Sequence, residues 1–124
     1  MGAWVTLTAA DGFTLDAYHA HPQGDSRGAI IILQEIFGVN SHIRAVADAY
    51  ASQGYHAIAP ALFDRKTKHY ETGYGPDDMK AGREIAFALN RDDTMKDVAA
   101  AIAYAQPNGK VGLVGYCWGG TMAY

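Results

Sequence analysis

The feature that most constrains this chain is its last stretch, Gly109-Lys-Val-Gly-Leu-Val-Gly-Tyr-Cys117-Trp-Gly-Gly-Thr-Met-Ala-Tyr124. A short apolar, β-branched run at 111–114 leads into Gly115-Tyr116-Cys117-Trp118-Gly119, and small residues follow. This is the strand, sharp turn, helix context of a nucleophile elbow, G-x-nucleophile-x-G. Such a turn strains the backbone of its central residue and exposes that side chain above the sheet. Glycine is needed two positions to either side because strand and helix approach closely there. The nucleophile is a thiol, from the single cysteine of a 124-residue chain that carries 14 glycines. The competing reading is a small buried thiol in a glycine-rich turn that binds nothing.

The rest of the chain reads as alternating strands and helices. Residues 5–8 alternate as a strand, Asp11-Gly12 signals a hairpin turn, and 13–19 alternate again. The continuous apolar run 29–33 fits a parallel strand buried on both faces. The loop at its C-terminal end, 34–39, is where open α/β sheets place ligands. A helix follows, capped by Asn40 or Ser41, with Ile43, Val46, Ala47 and Tyr50 inward and Gly54 as its stop. Residues 57–59 form the next buried strand, and 65–78 read as an irregular surface segment. Asp77 and Asp78 open a helix to about Leu89, and Thr94 caps another that ends before Pro107. Alternation of this kind predicts a doubly wound, mostly parallel α/β sheet with an antiparallel hairpin at its edge.

Three blocks carry a family resemblance. Gly112-Leu-Val-Gly-Tyr-Cys-Trp-Gly-Gly120 resembles the elbow of the dienelactone hydrolases, the thiol branch of the α/β-hydrolases. Ile31-Ile-Leu-Gln-Glu35-Ile-Phe-Gly-Val-Asn-Ser-His-Ile-Arg44 looks like that family's loop after the third strand. Gly54-Tyr-His-Ala-Ile-Ala-Pro-Ala-Leu-Phe63 looks like the strand that follows. The blocks come in the family's order. The resemblance implies an α/β-hydrolase-like sheet truncated after the elbow strand, with residues 1–124 as the N-terminal half of a single domain, because family members run to roughly twice this length. The triad Asp and His follow the elbow in chain order, so they are expected beyond Tyr124.

The resemblance also implies roles. Cys117 attacks a small lactone or ester, its thiolate favoured at a helix start, and water hydrolyses the thioester. No metal or organic cofactor is required. The backbone N–H groups of Trp118 and Ile36 form the oxyanion hole. Glu35, an acid ending an apolar strand, holds the resting thiol; the plainer alternative pairs it with a cation such as Arg44. Arg83 is a candidate for a substrate carboxylate, against a solvated helix-face arginine. Tyr116, Trp118 and Phe37 either line an apolar site or fill core. The histidines are not expected to supply the base: His56 reads as a core or sheet-end residue, His42 as a helix-start residue, and His19, His21 and His69 as edge or loop residues.

Composition excludes several other classes. Apolar content of 49% and charged content of 19% are those of a globular chain. A net charge of −3 offers no case for nucleic acid or an anionic membrane. One cysteine allows no internal disulfide and no Cys-rich metal site. The N-terminus has neither a basic region nor a long apolar one, so no signal peptide is expected and a reducing cytoplasmic setting is. The rival expectation is an inactive half-domain. Its exposed elbow-strand edge would drive homodimerisation or pairing with a complementary C-terminal half.

Overall fold

The computed structural model of the chain describes residues 2–116. Cys117 and Trp118 lie outside them. Strands β1 (Gly2–Thr8) and β2 (Thr14–Ala20) form the antiparallel hairpin expected around Asp11-Gly12. Gly12 adopts φ +87°, and the Phe13 N–H donates to Asp11 Oδ1 at 3.3 Å. Then come β3 (Ala29–Leu33), α1 (Ser41–Ser52), β4 (His56–Pro60), α2 (Pro76–Ala88), α3 (Arg91–Ala105), a 3-10 turn (Gln106–Asn108) and β5 (Val111–Gly115). The strand order is β1-β2-β4-β3-β5. Parallel β3 lies between β4 and β5, and β2 joins β4 antiparallel.

The two-residue period of the strands divides the core. Leu15, Ala17, Ile31, Leu33 and Ile58 pack with Val98, Ala101 and Ala105 of α3. The intervening Tyr18, Ala20, Ile32, Ala57 and Ala59 pack with Ile43, Ala47 and Ala51 of α1. Helices therefore cover both faces, which is the doubly wound arrangement expected from the alternation.

The caps follow simple chemistry, with one correction. Asn40 caps α1, its Oδ1 accepting from the Ile43 N–H at 3.1 Å. Asp77 and Asp78 sit in the first turn of α2 behind Pro76. Thr94, however, is not the cap of α3. Asn90 is, accepting from the Asp93 N–H at 3.1 Å, and Thr94 is buried one turn inside. Asparagine caps at least as well as threonine, and Asp92 and Asp93 then occupy the positive first turn.

Arg65 fastens three parts of the fold. It makes paired bonds to Asp97 on α3 (2.8 and 2.9 Å) and to Asp11 in the hairpin turn (2.8 and 3.0 Å), with its guanidinium over the Phe13 ring. The Asp97 side chain is 0% exposed. Burial pushes its pKa up, and the Arg65 guanidinium opposes this. Arg65 in turn holds the Asp11 carboxyl down to about 2. Removing one partner of a buried pair strands the other charge, so Arg65→Met should cost about 3–5 kcal/mol in urea unfolding. Asp11→Asn, which removes the solvent-facing partner, should cost far less. The deficit of Arg65→Met relative to wild type should shrink as the pH falls through the raised Asp97 pKa, because a neutral carboxyl is cheaper to bury.

Candidate active site

The site is built from the C-terminal ends of β3, β4 and β5. Beyond Leu33 the chain must leave the sheet between two parallel neighbours, and Gln34 sets its exit. The Gln34 side chain is 0% exposed. Its Oε1 accepts from the Leu62 N–H at 2.9 Å and its Nε2 donates to the Glu35 carbonyl at 3.0 Å. One amide thus ties the loop after β3 to the turn after β4. An unpaired amide at that depth would be costly, and here both ends are satisfied.

Glu35 and Ile36 follow, both half-buried. The Tyr74 hydroxyl donates to Glu35 Oε1 at 3.4 Å and accepts from Asn40 Nδ2 at 3.2 Å. Asn40 Nδ2 also donates to the Thr72 carbonyl at 3.2 Å, while its Oδ1 caps α1. Gly38, at φ +82°, lets the loop press against the Tyr70 carbonyl, where a Cβ would collide. It forms a bridge with Glu71, and the Thr72 N–H donates to the Phe37 carbonyl at 3.0 Å. Residues 70–74 are irregular and largely exposed, as expected, and they also clamp the loop. The signal missed was Tyr74, an aromatic hydroxyl in an otherwise polar stretch.

Arg44 does not pair with Glu35. It donates to the Val39 carbonyl at 2.8 Å and makes an ion pair with Glu71 at 3.2 Å. Phe37 is buried, its ring edge-on to Tyr74 with centroids 4.5 Å apart. Tyr116 is half-buried against the α1 side of the core, and its N–H donates to the Leu33 carbonyl at 3.2 Å. Burial pushes the Tyr116 pKa up, and Tyr50 and the Glu35 carboxylate add to the rise. Glu35 therefore lies within electrostatic reach of the residue that precedes Cys117. Among the described residues, no hydrogen bond engages the Ile36 N–H. Arg83 is exposed on α2, one position past Gly82, whose Cα rests on the Ile36 carbonyl.

The structure places Glu35 within electrostatic reach of Tyr116, with Ile36 and Phe37 next to it in the same loop, while Arg83 is exposed on α2; Cys117 and Trp118 fall outside the described residues. The histidines gather elsewhere. His19 is not an edge residue: it is 3% exposed on β2, which is flanked on both sides, and it meets His21 and His56 at the N-terminal edge of β4. Burial, then the two neighbouring imidazoles, hold its pKa down to about 4. Among the described residues no helix is long and apolar enough to cross a membrane.

The chain shares its family and fold with known proteins. The model of the dienelactone hydrolase family matches residues 15–124. A putative carboxymethylenebutenolidase of Synechocystis is 47% identical over 100 residues, covering 77% of this chain and 41% of that protein. The carboxymethylenebutenolidase of Pseudomonas putida is 39% identical over 128 residues, covering 97% of this chain and 53% of its own length. A crystal structure of a putative dienelactone hydrolase from Klebsiella pneumoniae superposes with a TM-score of 0.72 at 30% identity, covering 94% of this chain and 51% of that one. The chain thus spans about half the length of these relatives.

A helix-interior glycine usually costs about 1 kcal/mol relative to alanine. At Gly82 the sign should reverse. An added methyl would drive into the Ile36 carbonyl, so Gly82→Ala should destabilise by about 1–3 kcal/mol, read from the urea midpoint.

Proposed function

Because the chain belongs to the dienelactone hydrolase family, we infer that it carries the nucleophile half of a thiol hydrolase acting on small lactones or esters. The observation that carries this reading is the convergence at one end of the sheet. Glu35 and the Ile36 N–H leave β3 beside the exit of β5, which runs on in sequence to Tyr116 and Cys117.

In this mechanism the Cys117 thiolate attacks the carbonyl carbon. The oxyanion that forms accepts from the Ile36 and Trp118 N–H groups, the backbone donors that this fold uses to stabilise the developing charge. Collapse breaks the acyl–oxygen bond; the alkoxide leaves and is protonated, and a thioester remains for water to hydrolyse. Glu35, fixed by Tyr74 and Gln34, holds the thiol at rest. Arg83 is the candidate for a substrate carboxylate, and Phe37 and Tyr116 are the candidates for an apolar wall. The base and its orienting acid come after the elbow in chain order. They belong to the part of the relatives' length that this chain does not span. A reducing cytoplasm suits such a thiolate.

A second reading is favoured by β5, the outermost described strand on its side, whose Leu113 is 40% exposed. An apolar edge of this kind invites another strand, from a second copy or from a complementary C-terminal half. Light scattering of the purified chain should then give a dimer at micromolar concentration, and a monomer would remove the homodimer.

Hydrolysis of p-nitrophenyl acetate tests the main reading. The 124-residue chain should release a burst approaching one equivalent of p-nitrophenolate, followed by little turnover. The burst should vanish in Cys117→Ser and after iodoacetamide treatment. Hydrolysis that survives both would sink the thiol mechanism.

A further inference from the structure

The far end of the sheet holds a second cluster of chemistry-bearing side chains. His19 lies on β2 and His21 is the first residue past its end, two positions on, with its ring on the same side as that of His19. The β2–β4 ladder ends at Ala20↔Ala57, and one more step along that register sets His21 opposite His56. His19 Nε2 lies 2.9 Å from His56 Nδ1, and the His19 and His21 rings stack with centroids 3.8 Å apart. Ligand nitrogens from all three residues lie within 4.8 Å of one another. Burial is graded: His19 is buried, His56 half-buried and His21 exposed. A cavity of about 470 Å³, lined in part by His21, Gln23 and Gln53, opens beside the exposed member.

We propose that His19, His21 and His56 bind one Zn²⁺ ion, with the fourth position open to solvent. Zinc takes imidazole nitrogen at about 2.0–2.1 Å in a tetrahedral arrangement, which sets two ligand atoms roughly 3.3–3.4 Å apart. His19 and His56 separate by a few tenths of an ångström and pivot so that both lone pairs meet the ion, and exposed His21 turns in from its stack on His19. The Tyr104 hydroxyl stands 2.8 Å from His19 Nδ1. With Nδ1–H donating to that hydroxyl, the Nε2 lone pair faces His56. This is the outer hydrogen bond that fixes the tautomer of a metal-bound histidine. The proton between His19 Nε2 and His56 Nδ1 moves to His56 Nε2 on metal binding, so every ring stays neutral and no net proton is lost.

An all-imidazole donor set suits zinc or copper and is poor for magnesium or calcium, which require oxygen ligands. The location also decides what the ion does. The cluster lies at the N-terminal edge of β4, whereas Glu35 and Ile36 lie at the C-terminal ends of the parallel strands. The ion is therefore a clamp between β2 and β4, not part of the hydrolytic chemistry.

The test is calorimetric titration of untagged, metal-stripped protein with ZnCl₂, supported by visible absorption after Co²⁺ substitution. The expected result is one ion per chain and the intense visible bands of four-coordinate Co²⁺. Tyr104→Phe should weaken binding by about 10–100-fold while leaving the stoichiometry intact. His21→Ala removes an exposed ligand without opening the core and should weaken binding further. His42→Ala, at the other end of the sheet, should change nothing. Titration that fails to saturate, affinity unchanged in His21→Ala, or a pale six-coordinate Co²⁺ spectrum would overturn the proposal.

Discussion

The arrangement depends on β3 being held in parallel on both sides. Ile31, Ile32 and Leu33 are fully buried, β4 and β5 pair with the strand on either side, and helices cover both of its faces. Such a strand has no freedom in register, because a slip of one residue would exchange the α1 and α3 faces of the core. Fixing β3 fixes where Glu35 and Ile36 emerge. It also fixes β5, whose Gly115 lies opposite Leu33 and whose continuation is anchored by the Tyr116 N–H on the Leu33 carbonyl. Strand β5 and the loop after β3 are thus located by one element.

A loop at such an exit must satisfy its backbone without a ladder, and here segments distant in sequence provide the partners. Gln34 reaches the turn after β4, Asn40 reaches Thr72 and Tyr74, and Gly38 lies against Tyr70. Asn40 illustrates the economy of the scheme: the carbonyl end of its amide caps α1 while the NH₂ end holds the clamp. Preorganised donors contribute most to catalysis when they need no reorganisation as charge develops. Under the proposed mechanism, the clamping of this loop serves the chemistry as well as the fold. The same logic explains Gly82, which gives up helix propensity to let α2 rest on the Ile36 carbonyl.

Much of this was legible in the residues. The apolar run 29–33, the hairpin at Asp11-Gly12 and the cap at Asn40 are local signals, and local signals survive folding. Glu35 was marked by an acid standing where an apolar strand ends. Contacts between segments far apart in sequence were not legible. Tyr74 reads as a loop residue until the bridge at Glu71 brings it to Glu35. Thr94 and Asn90 are both good caps, and only the packing of Thr94 inside α3 decides between them. The three histidines belong to separate stretches, and the His-x-His period is informative only once the β2–β4 register is known.

Those histidines and the hydrolytic end are linked through mechanics more than through charge. From His56 to Pro60, β4 is four steps of ~3.3 Å, or roughly 13 Å. That exceeds the Debye length of about 8 Å at physiological salt, and the cluster opens to solvent on its His21 side, so an ion's field at the far end of β4 is heavily screened. Helix α3 offers a mechanical route. Asp97 fastens it to Arg65 near the C-terminal ends of the strands, and Tyr104 fastens it to His19 near the N-terminal edge. Seven residues separate these anchors, roughly 10 Å of helix. An ion that binds only the native cluster stabilises the fold by mass action. The stabilisation acts on β2, β4 and α3 together, and with them on the sheet that presents Glu35 and Ile36.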